Sequence, residues 1–277
     1  MAEGSYSEKD ERLTARPGEA ATKGRGELAD MRAVILAGGR GARLAPYTSV
    51  LPKPLMPVGE HSILEIVVGQ LAAAGMTRIT LCVGYLSHLI RAVMDEHAAS
   101  SVRVDYVHES EPLGTAAPLK LVDGLDETFL VMNGDVLTTL DYRELVRSHR
   151  QSGSVLTIAT QERRVKIDYG IVHVDGNGRI VDFEEKPEIS AAVSMGVYVM
   201  EPEVLDFIPD AGHADFPDLV RALLEAGREV SSYRYDGLWF DIGRHDDFQQ
   251  AVTAWTAVNG TEQADPLFLR RSLLTDS

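Results

Sequence analysis

Three glycines, Gly38, Gly39 and Gly41, are followed by Arg43 and, ten residues later, by Lys53 between Pro52 and Pro54. Glycines lack a Cβ atom, so their backbone N–H groups can approach an anion closely, and such groups gathered on a turn form an anion-binding concavity. Arg43 and Lys53 add fixed positive charge beside it. The chemistry that fits is the cradling of a polyphosphate. Gly38-Gly39 alone would also serve as an ordinary strand-to-loop turn; the whole stretch is what points to phosphate. Two other phosphate motifs are excluded. A P-loop requires Gly-Lys-Ser/Thr, which does not occur, and a dinucleotide fingerprint requires a third glycine where Leu44 stands.

A second group with chemical potential is Asp135, which follows an apolar run and Asn133-Gly134. An aspartate at the end of a buried strand suits a hard cation such as Mg²⁺, which takes few protein carboxylates and keeps phosphate oxygens as ligands. An aspartate after glycine also serves in plain turns, and the residue alone does not decide between the two.

These residues need elements to position them. An apolar strand over residues 32–36 runs into the glycines. Ser62-Ile63-Leu64-Glu65 reads as a capping box, and the apolar spacing over 63–74 predicts a helix ended by Gly75. Strands follow over 78–83, 102–108 and 128–132, with a helix over 86–96 between the first two. Asp141 opens a helix to about residue 151, on which His149 reads as an exposed helix-end residue. A strand over 154–160 comes next. A hairpin then starts at Tyr169-Gly170, turns at Asp175-Gly176-Asn177-Gly178 and returns over 179–183. The chain continues with a helix over 219–226, a strand over 229–235 and a helix over 244–258. This alternation predicts an α/β fold with a mixed, mainly parallel sheet flanked by helices, whose ligand groups collect at the carboxyl ends of strands.

Composition narrows the partners. The chain has 277 residues, 44% of them hydrophobic, and a formal net charge of −15, which argues against a nucleic-acid partner. One cysteine, Cys82, lies in an apolar run and reads as a core residue; no disulfide can form within the chain, which fits a reducing compartment. No run of 18 apolar residues predicts a membrane helix, and residues 1–30 lack the apolar core of a signal peptide, so a cytoplasmic protein without a membrane partner is expected. Residues 1–30 are small and charged and read as a disordered tail, residues 31–258 as one catalytic unit, and residues 259–277 as a weakly patterned tail.

The opening stretch, residues 31–57, closely resembles the first motif of sugar-1-phosphate nucleotidylyltransferases, G-G-x-G-x-R-L-x-P-x-T followed by K-P. Gly38, Gly39, Gly41, Arg43, Leu44, Pro46, Thr48, Lys53 and Pro54 meet every fixed position, and Ala42 stands where relatives usually carry threonine. Leu113-Gly114-Thr115-Ala116, Tyr169-Gly170-Ile171-Val172, Glu185-Lys186-Pro187 and Trp239-Phe240-Asp241-Ile242-Gly243 resemble later family motifs in the family's order. The resemblance implies the nucleotide-diphospho-sugar transferase type of Rossmann-like fold with a small sugar-binding β insertion. It implies catalytic roles for Arg43, Lys53 and Lys186. It implies nucleotide contacts from Leu36, Ala37, Gly38, Gly39, Gly41, Glu109, Gly114 and Thr115, and sugar contacts from Gly134, Gly170, Glu185 and Ser194. Asp135 and Asp241 would bind Mg²⁺. In the family, L-G-T-A opens a helix beside the base, and the residue five before its glycine, here Glu109, reads that base.

A carboxylate only accepts hydrogen bonds, whereas guanine offers N1–H and a 2-amino group side by side, so Glu109 favours GTP. E-P-L-G-T-A resembles mannose-1-phosphate guanylyltransferases in particular. Glu111 is a competing base reader, Glu109 also fits a solvated loop, and Gly170 also fits a β-bulge. The implied partners are an NTP and the 1-phosphate of mannose or of a related hexose, heptose or cyclitol; the family allows a homodimer or homotetramer. A UTP- or dTTP-dependent glucose-1-phosphate enzyme and a non-catalytic nucleotide-sugar-binding regulator are alternatives. A glycosyltransferase would mark its metal with D-x-D, whose first acid is missing at Asn133. No hexapeptide repeat follows residue 258, so no β-helix domain is expected within these residues.

Overall fold

The computed structural model describes residues 28–97, 102–243 and 245–259. Strand β1 (Arg32–Ala37) leads through three 3₁₀ turns to a small ribbon, β2 (Pro57–Val58) and β3 (His61–Ser62). Helix α1 (Ile63–Ala74) starts at Ser62, whose hydroxyl accepts from the Glu65 N–H while the Glu65 carboxylate accepts from the Ser62 N–H. It ends at Gly75 with φ 107°, a conformation that glycine adopts without steric cost. Then come β4 (Arg78–Val83), α2 (Ser87–His97), β5 (Arg103–His108), β6 (Phe129–Asn133), β7 (Val136–Thr138), α3 (Tyr142–Ser152) and β8 (Leu156–Lys166). A hairpin, β9 (Ile171–Val174) and β10 (Ile180–Glu184), precedes β11 (Glu188–Met200), α4 (Phe216–Glu225), β12 (Val230–Arg234), β13 (Trp239–Asp241) and α5 (His245–Asn259).

Seven strands form the central sheet in the order β12-β8-β11-β6-β1-β4-β5. Strands β6, β1, β4 and β5 run parallel, β12 runs parallel to β8, and β11 is antiparallel to both of its neighbours. The sheet is therefore mixed and mainly parallel. Side chains alternate across it. Ala33, Ile35 and Ala37 of β1 join a core covered by α1, α2, α3 and α5, whereas Val34 joins a second core covered by α4 and the 3₁₀ turns Ala117–Leu121 and Pro202–Phe207. Cys82 is fully buried in that second core, where desolvation, with the nearby Glu109 charge second, pushes its thiol up to about 12.

Four expectations change. Residue 160 does not end β8: the strand runs on to Lys166, because the first half of β11 pairs with it from Glu188↔Lys166 to Ser194↔Thr160. The two strands and the β9–β10 hairpin form an arm projecting from the sheet. His149 is not exposed. It is 1% accessible, and its ring nitrogens meet Thr157 Oγ1 at 2.8 Å and Glu201 Oε1 at 3.1 Å. The segment after Gly114-Thr115 is a 3₁₀ turn rather than an α-helix. Leu28, assigned to a disordered tail, is 1% accessible, and the neighbouring Ala29 carbonyl accepts from Thr77 Oγ1 at 2.6 Å. Residues 1–27 and 260–277, which hold the rest of both expected tails, lie outside the described residues.

Candidate active site

The opening loop closes on itself. Gly41 has φ 60°, and a Cβ there would lie 3.0 Å from both Lys53 Cβ and Thr48 Cγ2. Thr48, 3% accessible, donates its hydroxyl proton to the Gly41 carbonyl at 2.9 Å. Packing thus holds Lys53 against the glycine turn at the carboxyl end of β1. Lys53 is itself 8% accessible. Its ammonium pairs with Asp135 Oδ2 and reaches Asp241 Oδ1 at 3.7 Å.

The two aspartates, 106 positions apart, meet through a two-stranded ribbon. Strand β7 pairs antiparallel with β13 so that Asp241 stands opposite Val136, and the Ile242 N–H donates to the Asp135 carbonyl at 3.2 Å. Burial, with the Asp135 charge second, raises the Asp241 carboxyl above its ordinary range, while Lys53 and Arg43 act in the other direction. The two carboxylates so placed offer oxygen donors of the kind that Mg²⁺ takes. Asp241 also lines a cleft of about 240 Å³ with Arg43, Gly243, Gln250 and Arg163. The Arg43 guanidinium passes close to Gly243, where a Cβ would sit 3.7 Å from its Nη1.

Glu109 follows β5, two strands along the sheet from β1. Its N–H donates to the Val83 carbonyl at 2.8 Å, and its carboxylate lies over Gly38, where a Cβ would fall 2.2 Å from Oε1. It is 9% accessible, and desolvation raises its pKa, while a hydrogen bond from the Leu113 backbone works against the rise. Gly134 packs its Cα under β1: a Cβ would lie 3.0 Å from the Leu36 carbonyl, which accepts from the Gly134 N–H at 2.8 Å.

Comparison with known proteins identifies the family. The nucleotidyl transferase family matches residues 32–257. A protein of Synechocystis sp. named UTP–glucose-1-phosphate uridylyltransferase is 33% identical over 242 residues, which is 80% of this chain and 62% of that protein. Mannose-1-phosphate guanyltransferase beta-B of Xenopus laevis is 35% identical over 226 residues, 79% of this chain and 62% of that protein. The chain belongs to the sugar-1-phosphate nucleotidylyltransferase family. It spans 62% of the length of these curated relatives. The crystal structure of HddC from Yersinia pseudotuberculosis shares the fold, with a TM-score of 0.63 at 24% identity over 81% of this chain and 99% of that one.

The described contacts tie part of the motif set together. Lys53, Asp135, Asp241 and Arg43 come together, with Leu36, Ala37, Gly38, Gly39, Gly41 and Gly134 on the adjoining strand ends and turns. Glu185 and Lys186 occupy the bend between β10 and β11. They pair with each other at 3.9 Å, and both side chains are more than half exposed. Lys186 has φ 45°, a backbone state rare for a residue with a Cβ. Gly170 sits under the Phe183 ring, where a Cβ would fall 2.3 Å from Cζ, so a side chain there would have to displace that exposed ring. Thr115 anchors α4: its N–H and hydroxyl donate to Asp215 Oδ1, and its hydroxyl oxygen accepts from the Phe216 N–H. Gly114, φ 91°, passes the Ala214 carbonyl too closely for any Cβ. The Ser194 hydroxyl donates to the Tyr198 phenol oxygen at 3.1 Å. Sequence reasoning missed Arg163, which lines the Asp241 cleft from β8; its charge lies in the run Gln161-Glu162-Arg163-Arg164, which gives no sign of which side chain faces the site.

Proposed function

We propose that residues 31–258 form a unit that transfers a nucleoside monophosphate from an NTP to a sugar 1-phosphate, with GTP and mannose 1-phosphate as the favoured pair. The observation that carries this reading is the Lys53 ammonium held between Asp135 and Asp241 beside the Gly38–Gly41 turn. An oxygen of the sugar phosphate attacks the α-phosphorus; that P–O bond forms as the bond to the β-phosphate oxygen breaks, and pyrophosphate leaves with the electron pair. The attacking oxygen is already anionic, so no protein nucleophile or base is required. Catalysis then consists of positioning and charge neutralisation.

In this reading the turn's N–H groups hold the triphosphate, Lys53 holds the reacting donor phosphate and Arg43 the leaving pyrophosphate. Lys186 meets the acceptor phosphate, and Glu185 with Gly134, Gly170 and Ser194 lines the sugar. Asp135 and Asp241 would hold Mg²⁺, which when bound neutralises charge on the phosphate oxygens. Glu109, fixed over Gly38, accepts from guanine N1–H and the 2-amino group. The Synechocystis relative's name favours a second reading, with UTP and glucose 1-phosphate.

The test is pyrophosphate release with Mg²⁺ across GTP, ATP, UTP and dTTP, each paired with mannose, glucose, heptose and cyclitol 1-phosphates. The expected result is highest kcat/KM for GTP with mannose 1-phosphate. A preference for UTP or dTTP would overturn the base assignment, and no release with any pair would overturn the reaction. A cytoplasmic location fits the lone buried cysteine. Among the described residues no helix is long and apolar enough to cross a membrane.

A further inference from the structure

Arg163 lines the same cleft as Arg43 and Asp241, but it comes from a different element. Arg43 belongs to the opening turn. Arg163 belongs to β8, opposite Ala191 of β11 and three residues beyond the Thr160↔Ser194 pair, where the chain runs out toward the arm. Its neighbours on the strand are satisfied by the protein. Glu162 pairs with Arg234 at 2.9 Å, accepts from the Ser190 hydroxyl at 2.6 Å and lies 3.8 Å from Arg164. Arg163 points to the other face. There its guanidinium lies over the Trp239 ring, 4.7 Å from the centroid, and no carboxylate among the described residues comes within ion-pair distance of it.

The Trp239 platform is itself fixed. The indole N–H donates to the Met195 carbonyl at 2.9 Å, tying β13 to β11 just where β11 bends at Gly196. Stacking on an aromatic face orients a guanidinium while leaving its five N–H donors free, which suits planar, bidentate recognition of phosphate. In a chain with 42 acidic and 27 basic residues, a stacked arginine that has no carboxylate partner among the described residues, on a cleft that also holds Arg43, is a place for an anion brought from outside.

We infer that Arg163 binds the phosphate of the acceptor sugar 1-phosphate, leaving Arg43 to the triphosphate. This rests on the nucleotidyl transfer proposed above and adds a cation that the family motifs in the sequence did not indicate. The phosphate source is the acceptor rather than the NTP because Arg163 arises from the strand that pairs with Ser194, not from the glycine turn.

The experiment measures KM for mannose 1-phosphate and for GTP by pyrophosphate release in wild type, Arg163→Gln, Arg163→Lys and Arg163→Met, with melting temperature recorded for each. The expected result is a rise of about tenfold or more in KM for mannose 1-phosphate in the Gln and Met variants, the loss of one charge-assisted contact. Lysine should recover part of it, and KM for GTP should move less than about threefold. The Met variant keeps an apolar stem on Trp239, so a merely structural role would leave its KM values at wild type. That result, a rise confined to GTP, or equal rises for both substrates would overturn the assignment. Calorimetric titration of mannose 1-phosphate into wild type and Arg163→Met reads the contact without turnover. Equal affinities there would overturn the inference even if the proposed reaction stands, and weaker binding by the variant would support it even if the favoured nucleotide proves different.

Discussion

Removing Lys53 leaves two facing carboxylates without their shared cation. Lys53→Ala should therefore lower stability by about 1–3 kcal/mol in metal-free buffer, the usual cost of an unsatisfied partly buried polar group. Added Mg²⁺ should restore part of the loss and should have a smaller effect on wild type. Denaturant midpoints with Mg²⁺ or a chelator check this; equal Mg²⁺ effects on both proteins would count against a shared cation position. Glu109 makes a different prediction. Glu109→Gln supplies a side chain that both donates and accepts, which suits uracil or thymine. The ratio of kcat/KM for GTP to that for UTP should fall by roughly tenfold or more, equivalent to about 1.4 kcal/mol, in a four-nucleotide panel. At this scale the sequence was informative about residue types and silent about contacts. Glu109 could be singled out from the L-G-T-A spacing, but its fit over Gly38 depends on β1 and β5 flanking β4, which no local pattern specifies.

Among the elements, the legible ones bury a face. Strands β1, β4 and β6 read as strands because their runs are apolar on both sides of the sheet, and α1 carries its own start and stop signals. The outer half of β8 and the start of β11 were not legible. Both carry polar and charged residues exposed on the arm, so neither shows a buried period, and what makes them strands is pairing with each other across some 30 residues of sequence. The family resemblance named Asp135 and Asp241, but their meeting in space was not legible in local pattern, because the β7–β13 ribbon that joins them has only three residues in each strand. Between these parts lies the bend in β11. Gly196 has φ 72°, and a Cβ there would lie 2.6 Å from Asn133 Nδ2, at the end of the strand that leads to Asp135. Gly196→Ala should cost about 1–3 kcal/mol in a urea titration; a variant within error of wild type would show that the bend tolerates a side chain.

For the molecule as a whole, stability should depend on pH through His149. Burial lowers its pKa from 6.5, against the opposing pull of Glu201, so the fold favours the neutral ring. The unfolded chain binds a proton near 6.5 that the folded chain declines. The stabilisation is therefore complete above that pH and is lost as the pH falls through the window between 6.5 and the lower folded value. His149→Gln can keep hydrogen bonds to Thr157 and Glu201 without titrating. Wild type should thus lose melting temperature more steeply than the variant on going from pH 7 to pH 5, and parallel slopes would contradict the account. The same whole-molecule view explains why the cationic site stands out: a net charge of −15 surrounds a loop on which Arg43 and Lys53 gather positive charge at one strand end.

The most direct test of the central claim is a double-mutant cycle on the two aspartates, read as initial rates of pyrophosphate release. If Asp135 and Asp241 act as one unit around one cation, Asp135→Asn and Asp241→Asn should each lower kcat by roughly 10²–10³, and the double variant should lose little more than either single one. Losses that multiply across the two positions, or near-normal turnover in either single variant, would contradict it.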